Sequence, residues 1–333
     1  MIFYRILCLN KDMVIIMHKL KIALYGDNGH QIYEAVCKNE KTEVVSVCGI
    51  PKEKVEQIRN RYPDIQVFDS LDNMIKNTSA DMISLCSPIR KNQKNDTITA
   101  LKAGLHVYAE KPAAFSESEL DEILQTSQKT GCLFHEMADT VFHQPFFSMR
   151  KLVTSGALGE ITQIFAQKSY PYLINGESRP SDETIDGGIT MQAGIHAFRM
   201  AEHCTGMKIT EIFGIEGARR GVTDTSSLVF KMENGALGNA IINYYNPPVF
   251  GSWGNDQLRI FGTNGMAEIT NNGKFTRWFN YKKDMGELPY TETCPVFFDC
   301  FINRILDGIA MPISLEEELH PLRVAIRAKQ SIK

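Results

Sequence analysis

The chain has 333 residues with 36 Lys and Arg against 39 Asp and Glu, for a formal net charge of −3. That length suits two domains with sizeable cores, and the charge balance excludes a nucleic-acid or acidic-membrane surface as the main partner. The eight cysteines include no C-x-x-C pair and no zinc-ligand spacing occurs, so reduced, packed thiols in a cytoplasmic protein that binds a small molecule are expected, with no metal.

Residues 1–19 form an N-terminal extension, apolar but broken by Arg5, Lys11 and Asp12 into runs too short for a signal sequence or a membrane span. Met13 and Met17 precede the first convincing strand. This leaves two readings: a natural start beyond Met1, or an ordered extra strand or arm packed on a partner subunit.

The apolar run 20–25 reads as a strand, followed by Gly26-Asp27-Asn28-Gly29-His30-Gln31 and a helix with Ile32, Ala35 and Val36 at helical spacing. In this context a dinucleotide pyrophosphate approaches backbone N–H groups, and glycines permit the tight turn and the close approach. Gly26 keeps the first position, Asn28 stands at the second, Gly29 follows it, and Gln31 stands at the third. Asparagine tolerates positive φ better than most residues, so the turn is expected to survive with an amide beside the phosphates. The second strand, 43–48, ends in Cys48-Gly49-Ile50 and lacks the acidic residue that grips an NAD ribose. Lys52 and Lys54 just beyond it favour a 2′-phosphate and hence NADP, unless they only open a solvated helix carrying Val55 and Ile58.

Alternation continues with a strand at 65–68, a helix from Ser70, a strand at 82–86 and a helix that Gly104 can end in the left-handed conformation. The pattern is a doubly wound parallel Rossmann sheet, assigned to residues 20–138. A strand at 106–109 then stops at Glu110-Lys111-Pro112. Pro112 removes a backbone donor and favours an extended Lys111, leaving a carboxylate and an ammonium where open α/β sheets bind ligands. Ser116-Glu117-Ser118-Glu119 matches a capping box for a helix carrying Leu120, Ile123 and Leu124, and 133–136 is the last strand of the domain.

Residues 139–333 are assigned to a C-terminal α/β domain for substrate binding and oligomerisation. A helix with Met149, Leu152 and Val153 stops at Gly156, and a second sheet opens at 161–168. The loop 169–186 is long enough to be functional. It leads through Asp186-Gly187-Gly188 into a helix where Gln192 and His196, four apart, share a face and can reach one ligand. Tyr170, Tyr172 and His143 are candidates for substrate contacts, although the simpler reading, favoured for each, is an ordinary aromatic of a loop or helix start. Hairpin signals at Asn234-Gly235, Asn264-Gly265 and Asn272-Gly273 indicate a large, mostly antiparallel open sheet. Two helices follow, one with Phe301, Ile305 and Leu306 and one opened by Ser314 and Glu317.

Four features in this order, the glycine turn, the block Ala-Leu-Lys-Ala-Gly-Leu-His-Val-Tyr-Ala-Glu-Lys-Pro ending at Pro112, Gly156-Ala157-Leu158-Gly159, and Gly-Gly-x5-Gly-Ile-His ending at His196, resemble the Gfo/Idh/MocA family of sugar and cyclitol oxidoreductases. The resemblance runs from about residue 20 to 328. It implies NAD(P) lying across the carboxyl ends of the Rossmann strands, substrate between the domains, and a homo-oligomer formed through the C-terminal sheet. Cofactor contacts would come from Gly26, Asn28 and Gly29, from Gly49, from Ser87 and Pro88, and from Glu110 and Lys111. The family directs the lysine at the reacting hydroxyl and supports the histidine with an aspartate four residues earlier, a place held here by Gln192. Asn92 stands where a histidine is usual, and Arg199 where an acidic residue is common.

Hydride transfer from a carbinol needs a base for the hydroxyl proton and donors for the developing alkoxide, while the nicotinamide carries the redox chemistry. Lys111 and His196 supply such groups, with Gln192 beside them. The expectation is an NAD(P)-dependent oxidoreductase acting on a secondary hydroxyl of a sugar, cyclitol or related polyol. Two rivals remain: a member that has lost turnover and binds nucleotide as a regulator, suggested by Asn28, Gln31, Gly49 and Gln192, and an NAD-dependent redox-assisted glycosidase of the kind some relatives represent.

Overall fold

The computed structural model describes residues 6–9, 12–15, 19–173, 179–290 and 293–332. The chain divides into two compact units, one of residues 1–114, 118–137 and 297–312, the other of 115–117, 138–296 and 313–333. In the N-terminal extension, β1 (Ile6–Leu9) and β2 (Asp12–Ile15) pair antiparallel with each other and join neither large sheet; the rest of that extension falls outside the described residues.

The first unit alternates as its sequence pattern predicts. Strands β3 (Leu20–Tyr25), β4 (Thr42–Cys48), β5 (Gln66–Phe68), β6 (Met82–Leu85), β7 (His106–Ala109) and β8 (Phe134–Glu136) are linked by α1 (Tyr33–Lys38), α2 (Lys52–Arg61), α3 (Leu71–Asn77), α4 (Gln93–Lys102) and α5 (Glu117–Thr130). The sheet order is β5-β4-β3-β6-β7-β8, parallel throughout. Helices cover both faces of such a sheet, so its central strands read as unbroken apolar runs; every residue of β6 is buried. The Ser70 hydroxyl accepts from Asn73 N at 3.3 Å and starts α3, while Gly104 takes φ +89° after α4.

A distant helix, Phe297–Asp307, also belongs to this unit. Phe301 is fully buried, with its ring 5.6 Å from Tyr108 and 4.7 Å from His135. Asn39 donates to Asp299 at 2.7 Å, and the Lys41 ammonium reaches Asn303 at 2.7 Å and Asp307 at 3.0 Å.

The second unit is built on α6 (Phe146–Thr154), β9 (Ile161–Ser169), a π-helical turn Thr190–Gly194, α7 (Ile195–Thr205), β10 (Ile209–Ala218), β11 (Thr223–Met232), β12 (Leu237–Asn243), β13 (Gln257–Gly262), β14 (Gly265–Thr270), β15 (Phe275–Asn280) and β16 (Lys283–Gly286). After α8, the Phe297–Asp307 helix of the first unit, α9 (Leu315–Ser331) completes the second. The strand order is β10-β11-β12-β9-β13-β14-β15-β16. Only β12 and β9 pair parallel; the remaining pairs are antiparallel.

The three asparagine-glycine signals lie at the β11–β12, β13–β14 and β14–β15 turns, where Asn271 and Asn272 take φ of 50° and 55°. Burial alternates along β11, with Leu228, Phe230 and Met232 inward. The opposite face leaves Phe213, Ile215, Val229 and Leu237 exposed. Among the described residues no helix is long and apolar enough to cross a membrane, and no group of three His, Cys, Asp or Glu could hold a metal ion.

Candidate active site

In the first unit the turn after β3 is pinned across three strand ends. Gly26 N donates to Cys48 O at 2.9 Å, at the end of β4. With φ +71°, a Cβ on Gly26 would stand 2.0 Å from Cys86 O, at the exit of β6, so no other residue fits without moving backbone. Gly29 has φ +120°, and its Cβ would meet the Glu110 carboxylate at 2.6 Å.

Asn28 behaves otherwise than its sequence position suggests. Its φ is not positive, because Gly26 and Gly29 absorb the left-handed conformations. Its amide is turned aside to Pro88 O at 3.1 Å, and its carbonyl accepts from Arg90 Nη2. Gln31, at the third glycine position, folds back beneath the turn. Its Nε2 donates to Gly26 O at 2.9 Å and its Oε1 accepts from Ser84 Oγ at 2.6 Å.

Glu110 ties this turn to Lys111. The carboxylate is 1% exposed; Oε2 accepts from His30 N at 2.5 Å and lies 3.0 Å from His30 Nδ1, while Oε1 accepts from Lys111 N at 3.0 Å. Burial alone would raise its pKa, but the His30 hydrogen bond and the charges of His30, Lys111 and Arg90 outweigh it and bring the group down to about 2. Lys111 itself is 6% exposed, and the Lys111–Pro112 peptide is cis.

Sequence reasoning missed Arg90 and Gln93, both buried. Gln93 accepts from Ser87 N at 2.9 Å and from Arg90 Nη1 at 3.0 Å, and donates to Leu85 O at 2.8 Å and Glu110 O at 3.1 Å. Ser87 Oγ donates to Asp96 at 2.6 Å. Asn92, in contrast, is exposed.

Beside Gly49, which has φ +66°, a cleft of about 600 Å³ opens along the ends of β4 and β5, lined by Cys48, Ile50, Lys52, Arg59 and Phe68 among others. The glycine cradle and the adjoining cleft fit a dinucleotide, whose pyrophosphate needs close backbone approach and whose adenosine needs a slot beside the second strand. Lys54 is bound to Asp27 at 2.8 Å, so of the two lysines only Lys52 is in the cleft wall.

In the second unit Asp186-Gly187-Gly188 makes a compact turn. Gly187 N donates to Glu183 O at 2.7 Å and Gly188 N to Asp186 Oδ1 at 2.9 Å. A Cβ on either glycine would come within 2.8 Å of a neighbour. The next segment is not the regular α-helix that the Gln192–His196 spacing suggests: Thr190–Gly194 is π-helical, and α7 begins only at Ile195. A π-turn inserts an extra residue into the helical ladder and recurs at functional positions.

The π-turn is held from outside. Thr190 Oγ1 donates to Glu216 at 2.6 Å, and Lys329 Nζ reaches both Glu216 and Glu183 at 2.6 Å. The Gln192 amide donates to the Asp186 carbonyl. His196 is partly buried, with its ring edge-on to Tyr170 at 6.1 Å. The structure thus draws Tyr170 out of the loop background and sets it against the candidate base. Tyr172 donates to Arg220 O at 2.9 Å, and His143 is a solvent-facing partner of Asp139 at 3.0 Å. Residues 174–178 of the long loop lie outside the described residues.

Deeper in α7, Arg199 is fully buried. His203 Nε2 lies 2.9 Å from Glu317 O; burial, seconded by the Arg199 charge, lowers its pKa to about 3.

The family profile described as "Oxidoreductase family, NAD-binding Rossmann fold" matches residues 22–137, and the GFO/IDH/MocA C-terminal domain profile matches 146–268. The chain is 27% identical over 300 residues to the oxidoreductase YrbE of Bacillus subtilis, spanning 84% of this chain and 81% of that one. It is 20% identical over 340 residues to scyllo-inositol 2-dehydrogenase (NADP(+)) IolW of the same organism, spanning 95% and 94%. A solved oxidoreductase structure from Thermotoga maritima superposes with a TM-score of 0.83 at 23% identity, covering 94% of this chain and 97% of that one.

Proposed function

The chain belongs to the GFO/IDH/MocA family of oxidoreductases with an NAD-binding Rossmann domain, and from that premise we propose that it transfers hydride between a nicotinamide dinucleotide and a secondary hydroxyl of a sugar, cyclitol or related polyol. The observation carrying this reading is the Glu110 carboxylate, which joins the glycine turn to the backbone of Lys111 and so fixes the cofactor turn and the lysine by one buried group. The sequence of IolW, named for an inositol and for NADP(+), supports the substrate class.

When bound, the dinucleotide supplies the hydride donor or acceptor. Gly26, Asn28 and Gly29 would line its pyrophosphate, with no Cβ on the two glycines to bar a close approach, and Gly49, Ser87 and Pro88 would border it. Lys111 offers a positive donor to the reacting oxygen and stabilises charge that develops there. His196 takes the hydroxyl proton in oxidation and returns it in reduction. Tyr170 orients the imidazole edge-on, and Gln192 braces the Asp186 turn, which places it as a positioning residue.

Lys52 in the cleft wall and the absence of an acid at the end of β4 favour NADP(H). The exposed row Phe213, Ile215, Val229 and Leu237 is the surface on which a second copy of this chain packs. Fluorescence titration tests the cofactor reading: NADPH should bind more tightly than NADH, and the reverse order refutes the preference. Turnover of polyols with reversibly bound NADPH supports dehydrogenase chemistry; protein that neither binds nor turns over a nicotinamide refutes it.

A further inference from the structure

We propose that the His196 side of the site takes a polyol carrying an anionic group, a carboxylate or a phosphate; this rests on the oxidoreductase reading above and names its substrate class. The placement begins with the parallel pair β9–β12, whose register ends at Ser169 opposite Asn243. Parallel strands leave a sheet at the same edge, so Tyr170 and Tyr172 emerge beside Tyr244 and Tyr245. The pairing continues briefly, with Tyr170 N donating to Asn243 O at 2.9 Å and Asn246 N to Tyr170 O at 3.1 Å.

Three cations lie on these rings. The Arg179 guanidinium is 3.9 Å from the Tyr244 centroid and 5.7 Å from Tyr170, Arg220 is 4.8 Å from Tyr172 and 4.4 Å from Tyr245, and Lys168 is 4.9 Å from Tyr170. Lys168 is neutralised by Asp256 at 2.7 Å. Arg179 donates from Nη2 to Pro171 O at 3.0 Å, and its buried Nε has no partner. Among the described residues neither Arg179 nor Arg220 has a carboxylate within ion-pair distance.

Of the acids around these rings, Asp224 accepts from Tyr245 OH at 2.9 Å, Asp186 accepts from Gly188 N at 2.9 Å, and Glu183 and Glu216 hold Lys329. A planar guanidinium stacked on an aromatic face is pre-organised for bidentate capture of a carboxylate or phosphate. Trp253, 52% exposed and 6.2 Å from the Tyr170 ring, adds an apolar face for a carbohydrate ring. Asn246 secures it through Ser252 O and Trp253 O at 2.9 and 3.0 Å.

The test is calorimetric titration of the full chain with D-gluconate, D-glucuronate and D-glucose 6-phosphate against neutral D-glucose, alongside initial rates with NADPH and NADP. At least one anion should bind about 10-fold or more tightly than D-glucose, and which of them does so separates carboxylate from phosphate. Arg179→Met should weaken that anion about 10- to 100-fold, the loss typical of a hydrogen bond to a charged group, while D-glucose binding stays within about twofold on the same reasoning. Arg179→Lys, which keeps the charge and loses the fork, should weaken it as well and serves if the methionine variant does not fold. No anion binding better than D-glucose, or a folded Arg179 variant that binds the anion as the wild type does, overturns the proposal. Turnover of neutral polyols by a protein that binds none of the three anions better than D-glucose overturns it while leaving the oxidoreductase reading intact. Arg179-dependent anion binding without any hydride exchange upholds it and overturns that reading instead.

Discussion

Replacing Glu110 with glutamine keeps the shape of the side chain and removes its charge from a site where both oxygens accept from donors: His30 N and Nδ1 on one, Lys111 N on the other. The fall of the Glu110 pKa from its ordinary 4.5 to about 2 means that the folded state favours the carboxylate over the neutral acid by about 3 kcal/mol, at about 1.4 kcal/mol per pH unit. A depressed folded pKa contributes stability that is present above the unfolded value and lost as pH falls through the folded one. The window therefore runs from about pH 4.5 down to about 2. Glu110→Gln should lower unfolding stability at pH 7 by about 3 kcal/mol, a large share of the roughly 5–15 kcal/mol of an ordinary domain. The gap between the variant and the wild type should then narrow as the pH falls below 4.5 and close only near pH 2, where the wild-type carboxylate itself takes up a proton. Urea unfolding followed by circular dichroism at pH 7, 5, 4 and 3 measures both effects. NADPH titration at pH 7 should also show weaker binding, because the His30 turn loses its anchor. A variant whose stability tracks the wild type at every pH refutes the assignment of Glu110 as the buried link between the turn and Lys111.

Lys111→Ala should lower kcat by more than about 100-fold, as loss of a positioned catalytic group does, with nucleotide affinity nearly kept; an unchanged rate on the true substrate removes Lys111 from the mechanism. Gly26→Ala drives a Cβ to 2.0 Å from Cys86 O at φ +71° and should abolish nucleotide binding at a cost of about 3 kcal/mol or more, measured by titration and thermal unfolding. Gln192→Asp exchanges the donor to the Asp186 carbonyl for an acceptor, so kcat should fall; a gain in kcat contradicts the bracing role. For His203, held neutral mainly by burial with a pKa of about 3, the depressed value means stability is present above about pH 6.5 and is lost as the pH falls toward 3. His203→Gln should flatten the wild-type stability profile across that range, and an unaltered acid slope contradicts this.

Local pattern made much of the architecture legible. Parallel strands buried on both faces read as apolar runs, Ser70 and Ser314 announce helix starts that the structure realises with hydrogen bonds from Asn73 N and Glu317 N, and the three asparagine-glycine pairs mark turns of the antiparallel sheet. The glycine turn, Lys111 and His196 were visible because their chemistry depends on residue type at short spacing. Asn28 was misjudged in conformation: which residue of a turn carries the positive φ depends on the neighbours it must avoid, here Cys86 O and Glu110.

By itself the amino-acid sequence determined the order of strands and helices, the two kinds of sheet, and the positions of the candidate lysine and histidine, since propensity, periodicity and capping act over a few residues. Only the tertiary structure decided that Glu110 clasps His30 across 80 residues, that Gln93 and Arg90 fill the space under the turn, that Phe297–Asp307 returns to the first unit, and that Tyr170 meets both His196 and Arg179. These are contacts between residues distant along the chain, set by which strand ends lie side by side and by the need to satisfy every buried polar group there. No local pattern encodes that need.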